Sequence, residues 1–577
     1  MTSKQIASSL EEIATLLELQ GANTFRIRAF NNASRILRSL EADLETFVRD
    51  ASDGKVKGIG PALSGDIEAL YETGELPFLD ELRDSFPESL LEILNIPGLG
   101  AKKVKALYEQ LEIESIDELE QACKDEQLAQ LKGFSNKTEK NIIEAIERYR
   151  NFSSQFLFRD AFARSTPLLK ALKKTGLAEE IEVAGSLRRA KEVVKDIDII
   201  ATSTKPKKLM EAFVGLEGVI QVIAHGETKS SILLEDGLAV DLRVVTKKEF
   251  PAALLHFTGS KEHNTVLRSI AIKKNLKLNE YGLFKGEKAL GLKSEEEIYK
   301  KLDLCWVPPE LREDLGEIDR ATKLLEKDKT FPELLKVKDL KGILHAHSTY
   351  SDGEHTLEEM AKACKAAGYQ YLGITDHSQT AAYAGGLKPA AIKKQHKEID
   401  ELNKKLAPFK ILKGIESDIL ADGSLDYSKK VLESFDFIIA SVHSQFTLSE
   451  KDQTKRIIKA VSNPFTTILG HPTGRLLLKR DGYDLNIPAV IDACAEHGVA
   501  IEINANPRRL DLDWRFAAKA KSLGVSIPIN PDAHSTEGIS HVAFGVNVAR
   551  KAGLTKKDSL SCLSLKKIEE HFESRRT

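Results

Sequence analysis

From residue 340 onward, short apolar runs alternate with helical patterns, and nearly every run stops at a histidine or an acid. The runs lie near 343–347, 371–375, 411–415, 437–442, 466–470, 499–503 and 525–529, and helical stretches such as Leu357–Ala367 and Ala489–Glu496 separate them. Repeated β-α units predict parallel strands joined by right-handed crossovers. Barrels of this kind carry their sites at the C-terminal strand ends. Six of the seven runs end at, or contain, a candidate ligand: His345 and His347 with Asp352 close behind, His377, Glu416, His443, His471, and Asp532 with His534. Eleven of the chain's fourteen histidines lie in this half.

His345 and His347 are two apart, so on a strand both face the same way. Six imidazoles and three carboxylates exceed what one ion needs, and the mixed nitrogen and oxygen set suits two or three ions of the Zn²⁺ or Mn²⁺ type. Adjacent ions lower the pKa of a bridging water and hold a phosphoester in line, so no serine or cysteine nucleophile is required. His355, His396, His497, His541 and His571 fall outside the pattern and read as packing or surface residues. Arg475, Arg508 and Arg509 lie just beyond strand ends, where a guanidinium can hold substrate phosphate.

A chain of 577 residues holds two to four domains. A net charge of −3 gives no global nucleic-acid signal, so any DNA contact must come from local patches. The opening residues lack a secretory pattern, and no window approaches 18 apolar residues. Cys123, Cys305, Cys364, Cys494 and Cys562 show no Cys-x-x-Cys spacing, which predicts reduced thiols in a cytoplasmic protein.

Residues 181–245 are β-rich and carry a second site. Gly185-Ser186-Leu187-Arg188-Arg189 precedes Asp196-Ile197-Asp198, and Asp241 lies in a later β-run. Asp196 and Asp198 alternate on one strand and share a face. A third carboxylate on a neighbouring strand completes an oxygen site for two Mg²⁺. Gly185 and Ser186 offer N–H and hydroxyl donors to phosphate, and Arg189 offers a charged fork. Acids flanked by isoleucine on a sheet are costly unless they bind something.

Residues 1 to about 150 read as short helices joined by glycine turns. Val56-Lys57-Gly58-Ile59-Gly60-Pro61 and Ile96-Pro97-Gly98-Leu99-Gly100-Ala101-Lys102 each open into a helix, the second trailed by Lys103 and Lys105. Glycine lets the backbone approach a DNA phosphate, and the N–H groups of the next helix bind it. Leu131-Lys132-Gly133-Phe134-Ser135 reads as a degenerate third copy.

Two resemblances follow. The ordered set His345-x-His347, Asp352, His377, Glu416, His443, His471, Asp532-x-His534 resembles the polymerase-and-histidinol-phosphatase (PHP) domain over about 338–575. This implies a distorted barrel of seven parallel strands, a trinuclear site and phosphoester hydrolysis. The Gly185-Ser186, Asp196-x-Asp198 and Asp241 series, followed by His256-Phe257-Thr258-Gly259-Ser260-Lys261, Asn264, Arg268 and Asn279-Glu280-Tyr281, resembles the family X DNA polymerases over roughly 1–315. It implies that Asp196, Asp198 and Asp241 are the catalytic metal ligands. Ser186 and Arg189 would bind the incoming triphosphate, and Phe257 and Gly259 would border the sugar. Asn264 would touch the base edge, Arg268 the template side, and Lys261 a phosphate. His256 stands where eukaryotic relatives carry tyrosine. Asp66 stands where DNA polymerase beta has its Schiff-base lysine, and a carboxylate cannot form an imine. Arg26, Arg28, Arg35 and Arg38 remain as candidate 5′-phosphate contacts.

The fold expected is multidomain α/β. A helical hairpin domain (1–85) and a second hairpin subdomain (86–150) lead to a nucleotidyltransferase α+β palm (151–258) and a small thumb (259–315). A charged linker (316–337) then joins the distorted (β/α)₇ PHP barrel (338–577). The function expected is gap-filling DNA synthesis in base excision repair, with dNTPs and gapped or primer-template DNA as partners, on a monomer. The palm takes Mg²⁺ or Mn²⁺. The barrel takes two to three Mn²⁺ or Zn²⁺ and acts as a 3′-5′ exonuclease, with abasic-site cleavage as a second option. The alternatives are a fused small-molecule phosphomonoesterase and a DNA scaffold with one inactive site.

Overall fold

The computed structural model describes residues 3–38, 44–96, 98–131, 133–153 and 155–575. Pro97 and Lys132 of the hairpins, and the Arg38 side chain, lie outside the described residues. The chain forms two compact units, Met1–Ser154 and Gln155–Thr577.

The first unit is helical. Ile6, Leu10, Ile13 and Leu17 of the helix Ser3–Gln20 recur at helical spacing and bury fully. A second core gathers Leu90, Val104, Leu107, Leu119 and Ile146. The helices Pro61–Glu72 and Ala101–Leu111 start from Gly60 and Gly100, whose backbones agree closely (φ −89°, ψ 169° and φ −90°, ψ 168°). Two residues earlier, Gly58 and Gly98 take φ of +93° and +89°, a region that favours glycine. Gly133 repeats this at +96° ahead of the helix Asn136–Ser153. The degenerate copy therefore shares the positive-φ glycine of the other two, with Phe134-Ser135 in place of Ile59-Gly60 and Leu99-Gly100.

In the second unit, a five-stranded sheet runs in the order 181–183, 196–202, 239–245, 229–234, 219–225. The helices Phe158–Lys174 and Pro206–Val214 cover one face, and Phe250–Thr258 covers the other through Phe250, Ala253 and Leu254. A small body follows, with the helices Lys261–Lys273, Glu295–Lys301 and Glu317–Leu325 beside a three-stranded sheet. The stretch expected to be an exposed helix and linker begins inside this body. Ile318 and Ala321 join its core, and Glu317 is buried against His263 at 2.6 Å.

The last part is a closed barrel. Parallel pairing runs from 342–343 through 371–374, 410–418, 437–441 and 468–469 to 500–501. The chain continues as 503–504, which pairs with 529–530. Ala533 then bridges Ala346 in parallel, and the His347 N–H donates to the Ala533 carbonyl at 2.8 Å, closing the ring. Alternate residues point inward. Leu412, Phe437, Ile439, Ile468 and Ala500 fill the lower barrel together with Ile568 and Phe572 of the C-terminal helix. A Cβ on Gly414 would stand 2.5 Å from the Phe437 ring, so glycine makes room for this plug. Glu416 and Glu502, on the same inward parity one step higher, meet no apolar filling and line the site.

Candidate functional sites

The palm strands 196–202 and 239–245 pair in register, Asp198 opposite Asp241 and Asp196 opposite Ala239, so the three acids share one sheet face. Gly185 starts the short helix Gly185–Arg188 against this face. Its φ is +61°, and a Cβ there would stand 2.2 Å from Asp198 Oδ2, so space and conformation both demand glycine. Burial, reinforced by the charges of Asp196 and Asp241, pushes the Asp198 carboxyl up to about 6. Lys229 on the adjacent strand partly offsets the charge, its Nζ 2.6 Å from Asp241 Oδ2.

The folded state thus holds the Asp198 proton more tightly than the unfolded chain, whose value is near 3.8. Ionised Asp198 costs stability, and the cost grows as pH rises from 3.8 through about 6. A bound cation offsets it. Mg²⁺ should therefore raise the melting temperature more at pH 7.5 than at pH 5.5, read by thermal shift with Asp198→Asn as reference. An equal rise at both pH values contradicts this assignment.

Around the acids, Arg188 forms a bidentate pair with Glu295, both contacts 2.9 Å, and donates to Thr258 Oγ1 at 2.7 Å. Arg189 Nε is 3.1 Å from Glu313, and its Nη1 donates to the Thr258 carbonyl. Ser186 is half-buried beside them, and a Cβ on Gly259 would stand 3.0 Å from Arg189 Nη1. Phe257 lies under Arg243, 4.4 Å from ring centre to guanidinium, with His256 edge-on to it. The Asn264 amide donates to the His256 carbonyl at 2.7 Å, so it is engaged within the chain. Lys261 and Arg268 are exposed on the helix Lys261–Lys273.

The barrel mouth gathers the nine ligand candidates. Glu416 is the hub. Its carboxylate lies 3.5 Å from His345, 3.6 Å from His347, 3.0 Å from His377, 3.3 Å from His443 and 2.9 Å from His471. Asp532 Oδ1 is 3.1 Å from His347 Nε2, and Asp352 lies 3.4 Å from His534 and 3.7 Å from His377. Among the described residues, three overlapping groups have ligand atoms mutually within 4.8 Å: His347, Asp352, His377 and His534; His345, His347 and Asp532; and His377, Glu416 and His443. His345 Nε2, His347 Nδ1 and His471 Nδ1 are buried without a hydrogen-bond partner. Such orphans are costly unless a Lewis acid takes them, so the donor set fits divalent ions. Burial alone would raise the Glu416 carboxyl, but His443, His345 and His377 outweigh it and hold it well below the usual range. Asp532 takes φ +52°, a left-handed conformation that aspartate adopts more readily than most residues.

Two residues not anticipated as part of the site orient it. Glu502 Oε1 accepts from His345 Nδ1 at 2.8 Å, and its Oε2 accepts from the His471 N–H at 3.0 Å. Asp418 holds His443 Nδ1 at 2.6 Å. Such partners fix the tautomer and basicity of a ligating imidazole. Glu502 supplies the one strand that had no candidate. Its signal was present in sequence, a lone acid between Ile501 and Ile503. Of the three arginines, Arg509 reaches the site, 3.6 Å from Asp532, and Arg508 is exposed. Arg475 is committed to Asp513 and the carbonyls of Arg509 and Leu510, so structure rather than substrate occupies it. His396 packs edge-on against Phe435, and burial draws it down to about 4.

Family comparisons match a helix-hairpin-helix domain at 1–76, a tandem of such hairpins at 90–148, the DNA polymerase beta thumb at 253–313 and the PHP domain at 344–506. The chain is 38% identical over 573 residues to the DNA polymerase/3′-5′ exonuclease PolX of Bacillus subtilis (strain 168), covering 99% of each. A probable phosphatase of Thermoanaerobacter sp. (strain X514) is 30% identical over 41% of this chain and 97% of its own length. The repair DNA polymerase X of African swine fever virus is 32% identical over 27% of this chain and 90% of its own. With hairpins, palm, thumb and barrel in one order and a full-length relative at this identity, the chain belongs to the DNA polymerase/3′-5′ exonuclease PolX family, the family X polymerases that carry a PHP domain.

Proposed function

We propose that the chain fills gaps in primer-template DNA from dNTPs at the Asp196, Asp198 and Asp241 centre, and trims DNA 3′ ends at the barrel mouth. Both chemistries need divalent ions. The all-oxygen palm set suits Mg²⁺, with Mn²⁺ as substitute, and the imidazole-rich barrel set suits two or three Mn²⁺ or Zn²⁺. When bound, such ions neutralise phosphate charge and acidify the attacking hydroxyl or water. The chain's own groups do the positioning. In the palm, Gly185 and Ser186 cradle phosphate beside Asp198, and Arg189 adds charge. In the barrel, Glu502 and Asp418 lock His345 and His443, and Arg509 faces the substrate phosphate.

The observation that carries DNA as substrate lies in the hairpins. Gly60 and Gly100 have ordinary φ values, and a Cβ on either would meet nothing within 4 Å. Nothing inside the chain crowds these positions, so the backbone there is open to close approach by a phosphate. The first-turn N–H groups of both helices have no side-chain cap, a sequence-independent phosphate grip. We place the hairpin bodies at 1–85 and 86–150, with Lys102 exposed at the second. Asp66, half-buried near Arg26, leaves this unit without a Schiff-base lysine at that position.

The probable phosphatases favour a second reading, small-molecule phosphomonoester hydrolysis in the barrel. Tyr383 argues for nucleic acid. It is 72% exposed, and its ring lies 6.2 Å from that of His377, a platform for a terminal base at the mouth. Base stacking of this kind contributes about 1–3 kcal/mol. We expect Tyr383→Ala to raise KM for single-stranded DNA about tenfold, or roughly 1.4 kcal/mol, with little change towards p-nitrophenyl phosphate. If wild type turns over the phosphomonoester with the higher kcat/KM, and Tyr383→Ala affects both substrates alike, the phosphatase reading prevails. Purified chain without bound metal would support the scaffold alternative.

A further inference from the structure

The helix Val542–Lys551 on the outside of the barrel faces the polymerase part of the same compact unit. Phe544 meets Phe158 of the palm edge-on, ring centres 6.3 Å apart. Arg550 pairs with Glu310, its Nε and Nη2 each 2.8 Å from Oε1. Lys551 is enclosed further, with no exposed side-chain surface. Its ammonium donates to the Arg189 carbonyl at 3.1 Å, to the Glu310 carbonyl at 3.3 Å, and to the Glu313 carboxylate. These three bonds use the full donor capacity of a lysine, and every partner belongs to the polymerase part. Trp514 of the barrel closes the pocket, its ring 4.8 Å from Lys551 Nζ.

The same Glu313 oxygen that takes Lys551 also takes Arg189 Nε at 3.1 Å. Glu313 therefore lies between two cations. With Lys551 present, one negative charge is shared between two positive ones, and the cluster keeps a net positive charge at Arg189. Without Lys551, Glu313 would lose its closest cation and turn more of its charge onto Arg189, with Lys191 as the further cation acting on it, and a triphosphate would meet a more neutralised Arg189.

We propose that Lys551, carried by the hydrolytic barrel, is a positioning residue for the polymerase: it occupies Glu313 so that Arg189 keeps its place and its charge for the incoming triphosphate. This rests on the reading of Arg189 as a triphosphate contact. The barrel thereby supports nucleotide binding as well as hydrolysis.

The test uses the full chain in steady-state primer extension. Lys551→Met should raise KM for dNTP about tenfold, with kcat within about twofold and 3′-end trimming unchanged. The double variant Lys551→Met/Glu313→Gln should return KM towards wild type, a rescue that a merely structural lysine would not show. Arg189→Gln separates the two layers of the argument. If it leaves KM unchanged, the triphosphate reading of Arg189 is wrong. If it raises KM while folded Lys551→Met does not, the role of Lys551 is overturned. Should Lys551→Met fail to fold, Glu313→Gln alone decides: KM holds or falls if Glu313 competes for Arg189, and a rise overturns the proposal.

Discussion

Glu416→Gln should reduce 3′-end trimming by roughly 10³-fold or more while primer extension stays within about twofold. The five imidazoles around Glu416 all lie within 3.6 Å of its carboxylate. Each needs a metal or a proton, and the amide supplies neither the charge nor the second acceptor that the carboxylate gives. Loss of the one anion that these imidazoles surround would weaken the group that His377 and His443 complete, so metal content should fall by at least one ion per chain. End-labelled single-stranded DNA and metal analysis by mass spectrometry read the two effects. Normal trimming by Glu416→Gln would remove the barrel mouth as the hydrolytic centre.

Asp198→Asn should have the opposite pattern. Extension on a gapped duplex falls by roughly 10³-fold or more, because the central acid of the palm set no longer holds an ion against the triphosphate. Trimming continues. The same change should raise the melting temperature in EDTA at pH 7.5, since ionised Asp198 is destabilised by burial and by Asp196 and Asp241. Activity lost with stability gained is the mark of a residue kept for function. An Asp198→Asn chain that still extends primers would overturn the palm assignment.

Much of this was legible in sequence because the physics is local. An apolar run ending in histidine announces a parallel strand and the residue at its end, so every barrel strand, among the described residues, overlaps an expected run, though those at 342–343 and 529–530 do so by one residue each. Asp196 and Asp198 declare a shared face by their spacing alone. Other features depended on contacts distant in sequence. Arg475 resembles a phosphate ligand until Asp513 and two carbonyls are seen to occupy it. The linker expected from Glu317 onward is charged on one side only, and its Ile318 and Ala321 bury against a core built by residues some fifty positions earlier. The third hairpin was weak because its second glycine is replaced by serine, although the conformation that matters belongs to Gly133. Asp418 is silent in sequence, since its role exists only once His443 is beside it.

The closure of the barrel between Ala346 and Ala533 sets an order in time. His347 must wait for Asp532, 185 residues downstream, before the first and last strands can meet. At roughly 5–20 residues per second of synthesis, that interval is about 10–40 s. The palm acids, from Asp196 to Asp241, emerge well before it begins. In each newly made molecule the barrel mouth therefore closes only after all three palm acids have been made, and a chain cut short anywhere before its seventh barrel strand never completes it.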